Sequence, residues 1–148
     1  MAKTTDADTI VLLDDELFYM QFMMEYLSSK GYVVIPCRTA NEAIDMIDSE
    51  IYRAVILDLN VPILPPLDEA AKSLGPAYAK YPGLFVARHA RNRGYRARQV
   101  IIYSVHREPE VTAEVNKLRC TYIRKGRPKE IKEEVLGVLS FDPTDEGG

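Results

Sequence analysis

Three short apolar runs constrain the fold of this chain more than any other feature: Ile10-Val11-Leu12-Leu13, Ala54-Val55-Ile56-Leu57 and Val100-Ile101-Ile102-Tyr103. Each is bounded by polar residues, and none alternates apolar with polar as a half-exposed strand does. They read as strands covered on both faces, the pattern of central strands in a parallel sheet. Two weaker runs, Tyr32-Val33-Val34-Ile35 and Thr121-Tyr122-Ile123, bring the set to five.

Helical patterns lie between them. From Glu16 to Lys30, Leu17, Met20, Met24 and Leu27 recur at three- and four-residue steps, and Gly31 is a stop. Thr39-Ala40-Asn41-Glu42 is a capping-box signature ahead of Ala43, Ile44 and Ile47. A third helix is predicted from near Gly83 to near Gly94. A fourth opens at Glu108-Pro109, and a last at Pro128 with Ile131, Val135, Val138 and Leu139 on one face. Proline suits the first helical position in both. Strand and helix alternating five times predict an α/β fold, a doubly wound five-stranded parallel sheet with helices on both faces. Such folds bind ligands at the carboxyl ends of their strands.

One connection breaks the rhythm. Leu59 to Pro82 spans 24 residues and holds Pro62, Pro65, Pro66, Pro76 and Pro82, five of the nine prolines. Connections of that length inside a compact domain are uncommon and are often functional. Leu67 to Leu74 has room for two helical turns within it. The chain reads as one domain over residues 1–148, with a core of about 9–139, an insertion of about 63–82 and a frayed tail at 142–148.

Composition narrows the function. With 19 Lys+Arg against 22 Asp+Glu, the net charge is −3, which argues against direct nucleic-acid binding. No apolar run approaches the ~20 residues needed to span a bilayer, and the start lacks the layout of a signal peptide. Cys37 and Cys120 form no CxxC pair. The expectation is a cytoplasmic protein that does not engage a membrane and keeps its thiols reduced.

The polar residues that follow the strands converge. Asp14 and Asp15 follow the first, Asp58 the third, Ser104 ends the fourth, and Arg124 and Lys125 follow the fifth. Three neighbouring carboxylates repel one another unless a cation offsets them, and oxygen ligands suit Mg²⁺. A lysine and a hydroxyl facing the same place suggest an anionic group that comes and goes, such as phosphoryl.

At these residues the sequence resembles the receiver domain of two-component response regulators, from about Thr9 to Leu139. The matching pieces are Leu-Leu-Asp-Asp-Glu, Leu-Asp-Leu-Asn-Val-Pro, Ile-Ile-Tyr-Ser and Tyr-Ile-Arg-Lys, in the family's order and spacing. The resemblance implies a flavodoxin-like sheet of strand order 2-1-3-4-5. It implies that Asp58 is the phospho-acceptor, and that Asp15 and Asp58 ligate Mg²⁺ directly. Asp14 would act through water, and the carbonyl of Asn60 would be a further ligand. Lys125 would pair with a phosphoryl oxygen, Ser104 would hydrogen-bond another, and Tyr122 would be the aromatic switch residue.

The function so implied is a stand-alone signalling switch in a phosphorelay. It would receive phosphate from a histidine kinase or a histidine phosphotransfer protein, then act on a downstream protein target or as a homodimer. It would not be an enzyme beyond its own phosphorylation and slow dephosphorylation. The alternative is a phosphorylation-independent interaction module of the same fold. Three departures from the family bear on this: the insertion, which puts Gly83 25 residues after Asp58; Gly126 where proline commonly follows the lysine; and Val105 where a smaller residue follows the serine. Val105 is expected to restrict access to a phosphoryl group. Arg88, Arg91, Arg93, Arg96 and Arg98 read as a solvated face, and His89 and His106 as surface histidines.

Overall fold

The computed structural model describes residues 4–140, so the tail expected at 142–148 lies outside the described residues. Five strands, β1 (Asp6–Leu13), β2 (Val33–Cys37), β3 (Tyr52–Leu57), β4 (Val100–Ser104) and β5 (Thr121–Arg124), form one parallel sheet in the order β2-β1-β3-β4-β5. Among the described residues seven α-helices accompany them: α1 (Leu17–Ser29), α2 (Ala40–Ser49), α3 (Leu67–Ser73), α4 (Pro76–Lys80), α5 (Pro82–Asn92), α6 (Pro109–Leu118) and α7 (Pro128–Leu139). The strand order is the one the resemblance implied.

The unbroken apolar runs have a direct cause. Alternate residues of a strand point to opposite faces, and here both faces are covered. Val11, Leu13, Val55, Leu57, Val100 and Ile102 pack with residues of α2, α5 and α6. Ile10, Leu12, Ala54, Ile56, Ile101 and Tyr103 pack with Met20, Met23 and Leu27 of α1 and Ile131, Val135 and Leu139 of α7. No helix among the described residues is long and apolar enough to cross a membrane.

Local departures from the sequence reading each have a cause. The buried face of α1 centres on Met20, Met23 and Leu27, whereas Leu17, expected inside, is 64% exposed at the first turn. Strand β1 starts four residues earlier than its apolar run, because Thr5 and Asp6 donate backbone hydrogen bonds to Ile51 O. Strand β2 admits Pro36 because it lies at the sheet edge. Half of the capping box forms: Glu42 N donates to Thr39 Oγ1 at 3.2 Å, while the Glu42 carboxylate accepts from the Thr39 hydroxyl and not from its N–H. The arginine cluster is only partly a solvated face, since Arg91 donates to Leu118 O and Tyr95 O, and Arg93 pairs with Asp48 at 3.2 Å.

The insertion is ordered into α3 and α4, and α4 was not legible as a helix. Asn41 and Leu64 exchange two hydrogen bonds, of 3.2 and 2.8 Å, which tie its start to α2. Tyr78 and Tyr81 are buried, and the Tyr78 hydroxyl donates to Glu114 of α6 at 2.9 Å. Lys80 lies 3.7 Å from Glu110, and the Tyr81 ring centroid is 4.9 Å from that of His106. Two aromatic side chains thus replace water over the start of α6, a burial worth a few kcal/mol by area, on the order of 2 each.

Where the insertion ends, Gly83 donates its N–H to Leu59 O at 2.9 Å. A Cβ there would sit 2.0 Å from Asp58 O and 2.7 Å from Leu59 Cα. Both are backbone atoms, so neither can swing aside, and glycine is the residue that permits the approach. Gly83→Ala is expected to destabilise the protein by about 3 kcal/mol. Gly137→Ala, within α7 where a Cβ meets nothing within 4 Å, is expected to stabilise it by about 0.5–1 kcal/mol. Urea unfolding of the two variants measures both.

Candidate functional site

The sheet's own hydrogen bonding fixes the site. One residue beyond β3, Asp58 N donates to Leu13 O at 2.8 Å; one residue beyond β5, Lys125 N donates to Ser104 O at 3.0 Å. The ladders β1–β3 and β4–β5 therefore run into the functional residues, so their Cα positions are set by strand pairing. Asp14, Asp58, Ser104 and Lys125 are all buried. Polar groups out of water must find partners or lose several kcal/mol, on the order of 1–3 each.

Their partners are one another. Lys125 Nζ lies 2.8 Å from Asp14 Oδ2, 3.4 Å from Asp58 Oδ2 and 3.4 Å from Glu16 Oε1. Asp14 Oδ1 accepts from Glu16 N at 2.9 Å, which shapes the turn into α1. Asp58 Oδ1 accepts from Leu59 N at 2.8 Å. Burial pushes the Asp58 carboxyl up to about 6, with the Asp14 charge adding to it and the Lys125 ammonium and the Leu59 N–H working against it. For Lys125, burial acts to lower the ammonium pKa but is outweighed by Asp14, Asp58 and Glu16, so the net shift is upward.

Carboxylate oxygens of Asp14, Glu16 and Asp58 all lie within 4.8 Å of one another. An all-oxygen set of that kind suits a hard divalent cation such as Mg²⁺, so the residues present fit the ion. The composition of the set differs from the one the resemblance implied. Asp15 and Glu16 are both exposed; Glu16 joins the group and Asp15 stands outside it. The chain is extended at Glu16, and its carboxylate reaches the cluster from the exposed rim, with Oε1 3.4 Å from Lys125 Nζ. Asn60 is exposed two residues beyond Asp58.

Ser104 Oγ accepts from His106 N at 3.1 Å. The Tyr122 hydroxyl reaches Ser104 O at 3.0 Å and His106 O at 2.7 Å. A residue of β5 therefore holds the loop that carries the serine, and Tyr81 of the insertion packs on the same loop through His106. His106 is thus part of a stack, not a plain surface histidine; His89 likewise bonds Asp48 at 2.7 Å. Val105 is 53% exposed beside Ser104.

Sequence reasoning missed the aromatic lining. The Lys125 ammonium is 4.4 Å from the centroid of the Tyr19 ring and 5.2 Å from that of Tyr103. Both tyrosines fall on core-facing positions of α1 and β4, where an aromatic ordinarily signals packing alone.

No protein-family model and no curated protein matches the chain. Solved structures do. A receiver domain protein from Methanospirillum hungatei matches with a TM-score of 0.69 at 18% identity, over 91% of this chain and 95% of that one. The Vibrio cholerae chemotaxis protein CheY4 matches with a TM-score of 0.66 at 16% identity, over 93% and 99%. The receiver domain of a sensor histidine kinase from Pseudomonas aeruginosa, with a magnesium ion coordinated in its active-site cleft, matches at 0.65 and 16% identity, over 95% and 100%. The fold is that of response-regulator receiver domains.

The raised Asp58 pKa has a consequence for stability. Between the ordinary 3.8 and about 6, the folded protein holds a proton that the unfolded chain has released. Stability contributed by this group therefore falls as pH rises through that window and stays lowered above it. Asp58→Asn, which keeps the acceptor for Leu59 N, is expected to be more stable than wild type at pH 7.5 in EDTA, by about 1–3 kcal/mol. The gap should narrow towards pH 4 in urea titrations; a gap independent of pH would contradict the assignment.

Proposed function

We propose that this chain is a phosphorylation-dependent signalling switch that accepts a phosphoryl group on Asp58 from a histidine kinase or a histidine phosphotransfer protein. The observation that carries the reading is the buried Lys125 ammonium within 3.4 Å of Asp14, Glu16 and Asp58. A cation fixed beside clustered carboxylates, with a buried serine hydroxyl on the adjacent strand, is suited to an anion that arrives and departs.

Of the two Asp58 oxygens, Oδ1 is engaged by the Leu59 N–H and Oδ2 faces Lys125. In-line attack by the carboxylate on phosphorus forms the O–P bond as the P–N bond of phosphohistidine breaks, and the electron pair leaves with the imidazole. Lys125 offsets charge on the phosphoryl oxygens. Mg²⁺ held among Asp14, Glu16 and Asp58 would supply further positive charge there. The Ser104 hydroxyl accepts from His106 N in the resting arrangement, which leaves its own proton to donate to a phosphoryl oxygen. Drawing Ser104 inward shifts the carbonyls that Tyr122 holds, so the modification is felt on β5 and at the start of α6. The product is a changed surface; the only turnover is slow loss of the protein's own phosphate.

The test is intact mass after incubation with acetyl phosphate and Mg²⁺. One added phosphate is expected in wild type, and none in Asp58→Asn or with EDTA. No adduct with several phosphodonors would contradict the proposal and favour a phosphorylation-independent interaction module. Mg²⁺ titration of Asp15→Asn beside Glu16→Gln assigns the ligand, since the variant that loses affinity has lost a group that holds the ion.

A further inference from the structure

We propose that Tyr19 and Tyr103 are positioning residues that clamp the Lys125 ammonium, supplying by aromatic contact a restraint that glycine at position 126 does not impose. The inference rests on the phosphoryl-accepting reading for its consequence, though not for its geometry.

Lys125 needs a clamp for two reasons. Gly126 is exposed, and a Cβ added there would meet only the end of the Glu130 side chain at 3.6 Å. The backbone after the lysine is therefore neither crowded nor restricted by its residue type. A lysine side chain is also a flexible four-carbon stem ending in a point charge, without the preorganised fork of arginine. Ion pairs to Asp14, Asp58 and Glu16 attract the ammonium but leave it free to move among three acceptors.

The rings remove that freedom. Tyr19, from the first turn of α1, and Tyr103, from β4, meet edge to face with centroids 5.9 Å apart and planes at 85°. Each lies within cation–π range of Nζ, at 4.4 and 5.2 Å. The side chain of Lys125 is wholly buried, and a cation–π contact is stronger where water is excluded. Phe18 packs edge to face on Tyr19 at 5.2 Å and backs that ring. The Tyr103 hydroxyl is buried with no hydrogen-bond partner, so the part of Tyr103 that engages Lys125 is its ring. Catalysis by a fixed charge depends on that charge being in place before the reaction.

Three variants of the full chain test this: Tyr19→Leu, Tyr19→Phe and Tyr103→Phe. The first readout needs no phosphodonor. By NMR, the Lys125 Cε protons should be shifted upfield by the rings in wild type, Tyr19→Phe and Tyr103→Phe, and move towards ordinary lysine values in Tyr19→Leu. The second is the rate of phosphorylation by acetyl phosphate at saturating Mg²⁺. Tyr19→Leu is expected to be about tenfold slower, equivalent to about 1.4 kcal/mol, with Mg²⁺ affinity unchanged and full rescue in Tyr19→Phe. Unshifted Lys125 resonances in wild type, or a wild-type rate in Tyr19→Leu, would overturn the clamp. If wild type took up no phosphate while its Lys125 protons remained ring-shifted, the phosphoryl reading would fail and the clamp would stand.

Discussion

A single ammonium group makes the carboxyl edge of this sheet possible. Asp14 and Asp58 are brought out of water by strand pairing, and two buried carboxylates so close cannot both ionise without a countercharge. Lys125 supplies it from just beyond β5, at 2.8 and 3.4 Å, and Glu16 joins from the turn into α1. The arrangement is only partly neutralised, with three carboxylates facing one lysine among the described residues of the cluster. Burial raises Asp58 to about 6, with the Asp14 charge adding to the rise, and the residual negative charge of the cluster is why a divalent cation fits there. The site is unfavourable to the resting protein in the way that favours its ligand, a common relation between stability and function.

The second constraint is steric. The chain returns from its insertion into α5 through Gly83, against the Asp58 carbonyl. The insertion cannot therefore be an unconnected excursion from the surface. It leaves the loop after Asp58, binds α2 through Asn41, covers the start of α6 with Tyr78 and Tyr81, and rejoins the fold beside the acid it left. Its Tyr81 and the Tyr122 of β5 approach the Ser104 loop from different elements. Any displacement of that loop is therefore resisted by packing from both.

Much of this was legible in the sequence because the relevant signals are local. Asp14, Asp58, Ser104 and Lys125 each end or follow a strand run, and parallel pairing alone carries them to one edge. Helix starts at Pro109 and Pro128 and the Thr39 cap follow from residue type. What was not legible depends on phase and on distant partners. Whether Asp15 or Glu16 reaches the cluster is set by the backbone path after β1, not by spacing from it. Helix α4 is five residues long, too short to carry a period, and is held by the burial of Tyr78 and its hydrogen bond to Glu114 of α6. Tyr19 and Tyr103 look like core aromatics until the Lys125 ammonium is found against both rings.

The proposed switch depends on recognition of a phosphoryl group at Asp58 by the cluster around Lys125. Titration with beryllofluoride, followed by ¹⁹F NMR, tests that recognition without requiring a cognate donor. Bound fluorine resonances are expected only with Mg²⁺, and are expected to be absent in Asp58→Asn. A wild-type protein that stays folded, binds Mg²⁺ and gives no bound resonance would contradict that recognition.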